Sequence, residues 1–191
     1  MARAKAISDK SAIIKASMEI LKAEGIDALS IRRIGAKINV SGMTLYNYVE
    51  NIDDIKREII LEGFRELYRN GYEALRTVKK YDGLIRIDEG CRILAKELYL
   101  FGVLHPHLFE LMFCTNSGKF RKDAEIEPFY GFFRNLLHRR SAQNGKAGND
   151  QALNMLDHIT NSMIIERIRG VNNTTEEDYF EHVNEYISKM F

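Results

Sequence analysis

Apolar residues recur at helical spacing almost from the start of the chain. Ile13, Ala16, Ser17, Ile20 and Leu21 fall at i, i+3, i+4, i+7 and i+8, which predicts a helix over residues 9–24 with one inward face. Gly25 follows as a stop able to take the left-handed C′ position. Ser30 precedes Ile31-Arg32-Arg33-Ile34 and is a favoured N-cap, so a second, short helix is predicted with Ile34 and Ile38 inward. Asn39 stands where a tight turn is needed, and asparagine enters the left-handed region more readily than most residues. Ser41 is a further cap, opening a third helix through about Val49. Leu45 and Val49 face inward there, and Gly42, Met43, Thr44, Tyr46, Asn47 and Tyr48 are left outward. Two short helices joined by a tight turn and braced by a longer one make a helix-turn-helix.

The pattern continues to the C-terminus. Asn51 caps a long helix from Asp53 to about Val78, with Ile55, Ile59, Gly63 or Phe64, Leu67 and Tyr68 recurring on it. A helix over 83–102 carries Leu84, Ile87, Cys91, Leu94, Leu98 and Phe101. His105-Pro106 breaks it, and Pro106 suits the start of a short helix through Phe113. Another helix is predicted from about Glu125, bearing Phe129, Phe132, Phe133, Leu136 and Leu137 and fading in the glycine- and asparagine-containing loop 143–149. A helix over 150–169 presents Leu153, Leu156, Ile159, Met163 and Ile164 and ends at Gly170. Thr174-Thr175-Glu176-Glu177 reads as a capping box for the last helix, whose stripe runs Tyr179, Phe180, Val183, Tyr186, Ile187, Met190, Phe191. The expected fold class is all-α with about nine helices. Residues 1–52 are expected to form one three-helix domain holding the helix-turn-helix, and residues 53–191 a second, larger helical domain.

Composition narrows the class. Hydrophobic residues are 45% and charged residues 29% of the 191, as in folded globular chains. No run approaches the roughly 18 apolar residues of a membrane-spanning helix. The polar start lacks an apolar leader core, and Cys91 and Cys114 have neither disulfide-framework nor metal-pair spacing, so a cytoplasmic protein is expected. Net charge is only +1, yet residues 1–51 hold eight Lys/Arg against five Asp/Glu, a modest local excess. No catalytic motif or phosphate loop is present. Asp123, Glu125 and Glu127 read as a solvated helix start, and His105 and His107 as surface or helix-terminus residues. Neither a catalytic residue, a metal site nor a cofactor is expected.

The stretches Ile13–Ser17 to Gly25, Leu29–Gly35 and Val40–Val49 together resemble the TetR family N-terminal domain over about residues 9–60. The most specific part is the valine-serine turn followed by a small residue and then Leu45-Tyr46. The resemblance implies a transcriptional repressor: a homodimer that grips a near-palindromic operator with residues 1–52 as its DNA-binding domain, and is released by a small molecule bound in residues 53–191, its regulatory and dimerisation domain. It assigns Ser30, Arg32 and Arg33 of the second helix, Ser41 at the next cap, and Gly42, Met43, Thr44 and Asn47 to the DNA, with Tyr46 and Tyr48 as phosphate contacts. Plainer roles stay open: Tyr46 packing on the first helix, Arg33 as a solvated charge, Arg3 and Lys5 as a tail rather than a minor-groove arm. Ile52 departs from the family, which commonly places a phosphate-binding lysine there. An effector pocket is implied among the helices after Gly83, with Leu98, Tyr99, Phe113, Phe129, Phe133, Ile159 and Met163 as walls. Their character points to an apolar or aromatic effector, oriented by Tyr99, His158 or Asn161. A four-helix dimer interface is implied at Leu156, Ile159, Met163, Phe180, Val183 and Ile187. The competing reading is an effector-independent architectural or nucleoid-associated DNA-binding protein.

Overall fold

Local signals at the N-terminus produce the elements they predict. A computed structural model describes residues 10–78, 85–114, 117–138, 147–171 and 173–191. Helix α1 (Lys10–Glu24) buries Ile13, Ala16, Ser17, Ile20 and Leu21 and stops at Gly25, whose φ of 85° is open to glycine at no steric cost. After a 3-10 turn (Ile26–Ala28) the Ser30 side chain accepts from the Arg33 N–H and starts α2 (Ile31–Lys37). Asn39 takes the left-handed conformation (φ 59°), and the Val40 N–H bonds back to the Gly35 carbonyl at 2.9 Å. Ser41 then accepts from Thr44 N–H to open α3 (Gly42–Leu45), which continues as turns to Val49. Ile34, Leu45 and Val49 are buried, so the short helices are held by the face that α1 shares with them.

Helix α4 (Ile52–Thr77) starts at Asn51, whose side chain accepts from Asp53 and Asp54 N–H. Ile55, Ile59, Ile60, Phe64 and Leu67 of α4 are buried in one continuous apolar cluster that includes residues of both head and body. Lys10 of α1 ties the head to α4 at 3.1 Å from Asp54 and 2.9 Å from Glu58. Helix α5 (Ile87–Leu104) packs along α4 and starts later than the predicted residue 83, with Leu84 outside the described residues. His105 ends it, and Pro106 opens α6 (Pro106–Phe113).

The single helix predicted from Glu125 does not form. A short α7 (Ser117–Phe120) is followed by turns, a 3-10 turn (Glu127–Phe129) and Gly131 at φ 97°, and only then by α8 (Phe132–Leu137). Pro128 has no N–H for the helical ladder, and Gly131 takes a conformation that breaks helical progression. Helix α9 (Ala147–Arg169) begins three residues before the expected Asp150, and Gly170 ends it at φ 62°. The capping box sits one residue later than predicted: Thr175 and Asp178 exchange the reciprocal bonds that open α10 (Glu176–Met190). Tyr179, Val183 and Ile187 bury this last helix against the chain's own core, and the Tyr179 hydroxyl donates to the Ala95 carbonyl at 3.0 Å. Among the described residues no helix is long and apolar enough to cross a membrane.

Candidate nucleic-acid interface and effector cavity

The outward face of the second and third helices carries most of the residues assigned to DNA. Met43 is 79% exposed and Tyr46 53%; Tyr48 and Asn47 are also exposed, and Gly42 and Thr44 are partly covered. Ser30 and Ser41 spend their side chains on capping, and Ser41 Oγ also lies 2.9 Å from Thr44 Oγ1, which fixes the Thr44 hydroxyl beside the cap. The apolar face beneath is rigidly seated, so these side chains have a fixed base from which to meet a groove.

The charge of this head is less available than its excess implies. Arg33 pairs with Glu24, Lys37 with Glu19 at 3.0 Å, and Lys22 with Glu66 at 3.9 Å, while Lys10 is taken by Asp54 and Glu58. Arg32 is exposed and makes no ion pair with any described residue. Arg3 and Lys5 lie outside the described residues. Ile52, where a lysine is common in the resembling family, is half-buried against the apolar cluster. That position contributes packing here, and phosphate attraction rests on fewer cations.

A second site opens in the body. A cavity of about 900 Å³ lies between Leu98 of α5, Phe113 of α6, the 121–131 segment, α8 and α9. Leu98, Phe113 and Phe129 are among its walls, and so are His158 and Asn161. Tyr99 and Phe133 are not: both are buried in the core, Tyr99 with its ring 4.7 Å from that of Tyr179. Ile159 and Met163 are half-buried but also lie outside the lining. Leu156, Val183 and Ile187, assigned to a dimer contact, are fully enclosed by their own chain, whereas Ile159, Met163 and Phe180 stay accessible.

Asp157 is the cavity residue that periodicity misses. It is 8% exposed, and its Oδ2 has no hydrogen-bond partner among the described residues; neither has Oδ1 of Asn161, one helical turn on. Burial raises the Asp157 carboxyl to about 7, opposed by the Phe133 N–H, the nearby Arg134 and the Phe132 N–H. The folded protein thus holds a proton that the unfolded chain has released, and stability contributed by this group is lost as pH rises from about 4 to about 7. Asp157→Asn removes that loss. Thermal unfolding should show the variant gaining stability over wild type between pH 5 and pH 8, on the order of 2 kcal/mol. Parallel curves for the two proteins would mean that the carboxyl is solvated.

Of the acidic residues after α7, Glu127 is exposed at the start of the 3-10 turn, whereas Asp123 and Glu125 are paired. Arg57 of α4 reaches Asp123 through Nε at 2.6 Å and Nη2 at 2.9 Å, and Glu125 at 2.7 Å. Lys119 pairs with Asp53 in the first turn of α4. Glu127 lines the cavity, as do Arg121 and Lys122 between the clamped residues. His105 lies 3.4 Å from Glu66 at the junction of α5 and α6, and its imidazole is lowered first by burial and then by the Lys22 charge, opposed by Glu66. None of these groups sets a nucleophile beside a base.

Comparison with known proteins agrees with this arrangement. Residues 13–59 match the family described as bacterial regulatory proteins, tetR family. A TetR transcriptional regulator from Rhodococcus sp. RHA1 superposes with a TM-score of 0.68 at 11% identity, over 95% of this chain and 94% of that one. A TetR-family regulator from Streptomyces coelicolor gives 0.68 at 14% identity, over 95% and 98%. One from Marinobacter aquaeolei VT8 gives 0.64 at 17%, over 94% and 93%. At these identities the likeness establishes the fold. No curated protein sequence matches the chain significantly.

Proposed function

From a chain that carries a TetR-family DNA-binding domain and the fold of that family's transcriptional regulators, we propose a homodimeric repressor that leaves its operator when a small molecule occupies the body cavity. The observation that carries this reading is one segment with two attachments. Residues 121–122 and 127–131 wall the cavity, while Lys119, Asp123 and Glu125 in and beside the same segment grip Asp53 and Arg57 at the start of α4. The start of α4 follows α3, the helix proposed to enter the groove, through the short Tyr46–Asn51 connection. A ligand that shifts the wall therefore pulls directly on the element that sets the spacing of the two heads. A coupling of about 1–3 kcal/mol is sufficient for such control.

In the dimer, α9 and α10 supply the contact through Ile159, Met163 and Phe180, joined by the exposed Met155 and Met190. Two recognition helices then enter successive major grooves about 34–36 Å apart on a near-palindromic operator. Selection of operators from random duplex DNA at fixed salt tests the reading first. An enriched palindrome is expected; binding without sequence preference would instead support an architectural protein. On the selected operator, Thr44→Ala and Tyr46→Phe should each weaken binding about fivefold, the worth of one hydrogen bond, with the dimer still folded. Wild-type affinity in both variants, in gel shifts at one salt concentration, would remove these residues from the interface.

A further inference from the structure

We propose that the cavity takes an amphipathic organic acid: an aromatic body with a carboxylate at the cavity's cationic residues and a hydroxyl or N–H donor on Asp157 and Asn161. The inference rests on the effector reading above and names the chemistry of that effector. The acceptors come first. Asp157 Oδ2 and Asn161 Oδ1 are buried, lack partners among the described residues and stand at i, i+4 on α9, where side chains are neighbours. A buried acceptor without a donor is a standing cost, and a ligand donor reaching both oxygens relieves it.

The cations give the second half of the ligand. Arg121, Lys122 and Arg134 line the cavity and form no ion pair with a described residue. The Arg121 guanidinium lies over the Tyr130 ring, 5.1 Å from its centroid, and so remains poised at the wall rather than neutralised. These three outnumber Glu127 and Asp157, the acids of the lining, and favour an anion over an ammonium ligand. Leu98, Phe113, Phe129 and Tyr130 supply the apolar surface of the lining. A purely apolar effector would leave both Asp157 and the cations unanswered.

Matched naphthalenes test the assignment on DNA-free protein: a hydroxynaphthoate, naphthoate, naphthol and naphthylmethylamine. The chain has no tryptophan, so naphthalene emission reports binding without that background. The hydroxynaphthoate should bind about tenfold more tightly than either singly substituted acid or alcohol. Asp157→Leu should erase its advantage over naphthoate, and Arg134→Met its advantage over naphthol; Asn161→Ala should repeat the Asp157 effect in part, as a second variant if either fails to fold. Tightest binding by the amine, an order unchanged by the variants, or no binding by any of the four at millimolar concentration would overturn the proposal. Operator release is scored separately. Hydroxynaphthoate binding that follows this pattern but leaves the operator complex intact would keep the ligand assignment and remove the effector-release reading. Release driven only by cationic or uncharged ligands would do the reverse.

Discussion

Phe64→Ala is expected to lower the unfolding free energy by about 3–5 kcal/mol, the usual cost of emptying a phenylalanine site in a close-packed core. Phe64 is 1% exposed at the middle of α4. Its ring stands edge-on to Phe113 at 5.5 Å, stacks on Phe129 at 5.5 Å and meets Tyr130 edge-on at 5.3 Å. Those three rings come from α6 and from the segment that walls the cavity, so one side chain seats the long connecting helix against both. Truncation removes buried apolar area and leaves a void that stiff neighbouring rings fill poorly. Tyr68 limits collapse from one side, since its hydroxyl donates to the Phe129 carbonyl at 2.7 Å and accepts from Asn135 at 2.9 Å. Urea unfolding followed by circular dichroism measures the loss, and an unchanged m-value would assign it to the native state. Phe64→Leu should cost markedly less. A loss below about 1 kcal/mol for the alanine variant would mean that the cluster is loosely packed.

The head was legible because its determinants are local. Ser30, Asn39 and Ser41 act through bonds or backbone angles within three residues, and the structure uses each as its residue type dictates. The body was less so. Glu125–Leu137 has helical apolar spacing, yet Pro128 and Gly131 override it; those two residues, present in the sequence, are the signal that the spacing concealed. Thr174 and Thr175 both precede acids at capping distance, and only the Thr175–Asp178 pair forms. The apolar stripes of α9 and α10 suit either the chain's own core or the dimer contact that the family resemblance implies, and the core takes Leu156, Val183 and Ile187. Periodicity marks the most buried face of a helix and is silent about which partner buries it. The same silence hid Asp157: an acid on an amphipathic helix reads as solvent-facing, and its enclosure by α8 is a tertiary fact. Arg57 and Asp123 are 66 residues apart, beyond the reach of any local pattern.

That long-range pair carries the other large expected effect. Arg57→Ala should leave the protein folded and able to bind its operator, yet reduce ligand-driven release from the tenfold or hundredfold range to less than about threefold. The Arg57 guanidinium is held in its charged form first by Asp123 and then by Glu125, and Arg57 in turn holds the Asp123 carboxyl below the usual range. The clamp is therefore intact across neutral pH. Its two N–H···O bonds to Asp123 are a bidentate contact, which transmits orientation as well as distance and which a single Lys119–Asp53 pair does not replace. Without it, a displaced cavity wall moves past α4 instead of carrying it. Linkage supplies a second reading of the same loss: operator DNA should weaken ligand binding in wild type and leave it unchanged in Arg57→Ala. Asp123→Ala should reproduce the variant, and the double variant should add little to either, as residues acting through one contact do. Undiminished release in both single variants would place the coupling in the Phe64 ring cluster, where Phe129 joins the cavity wall to α4 without any charge.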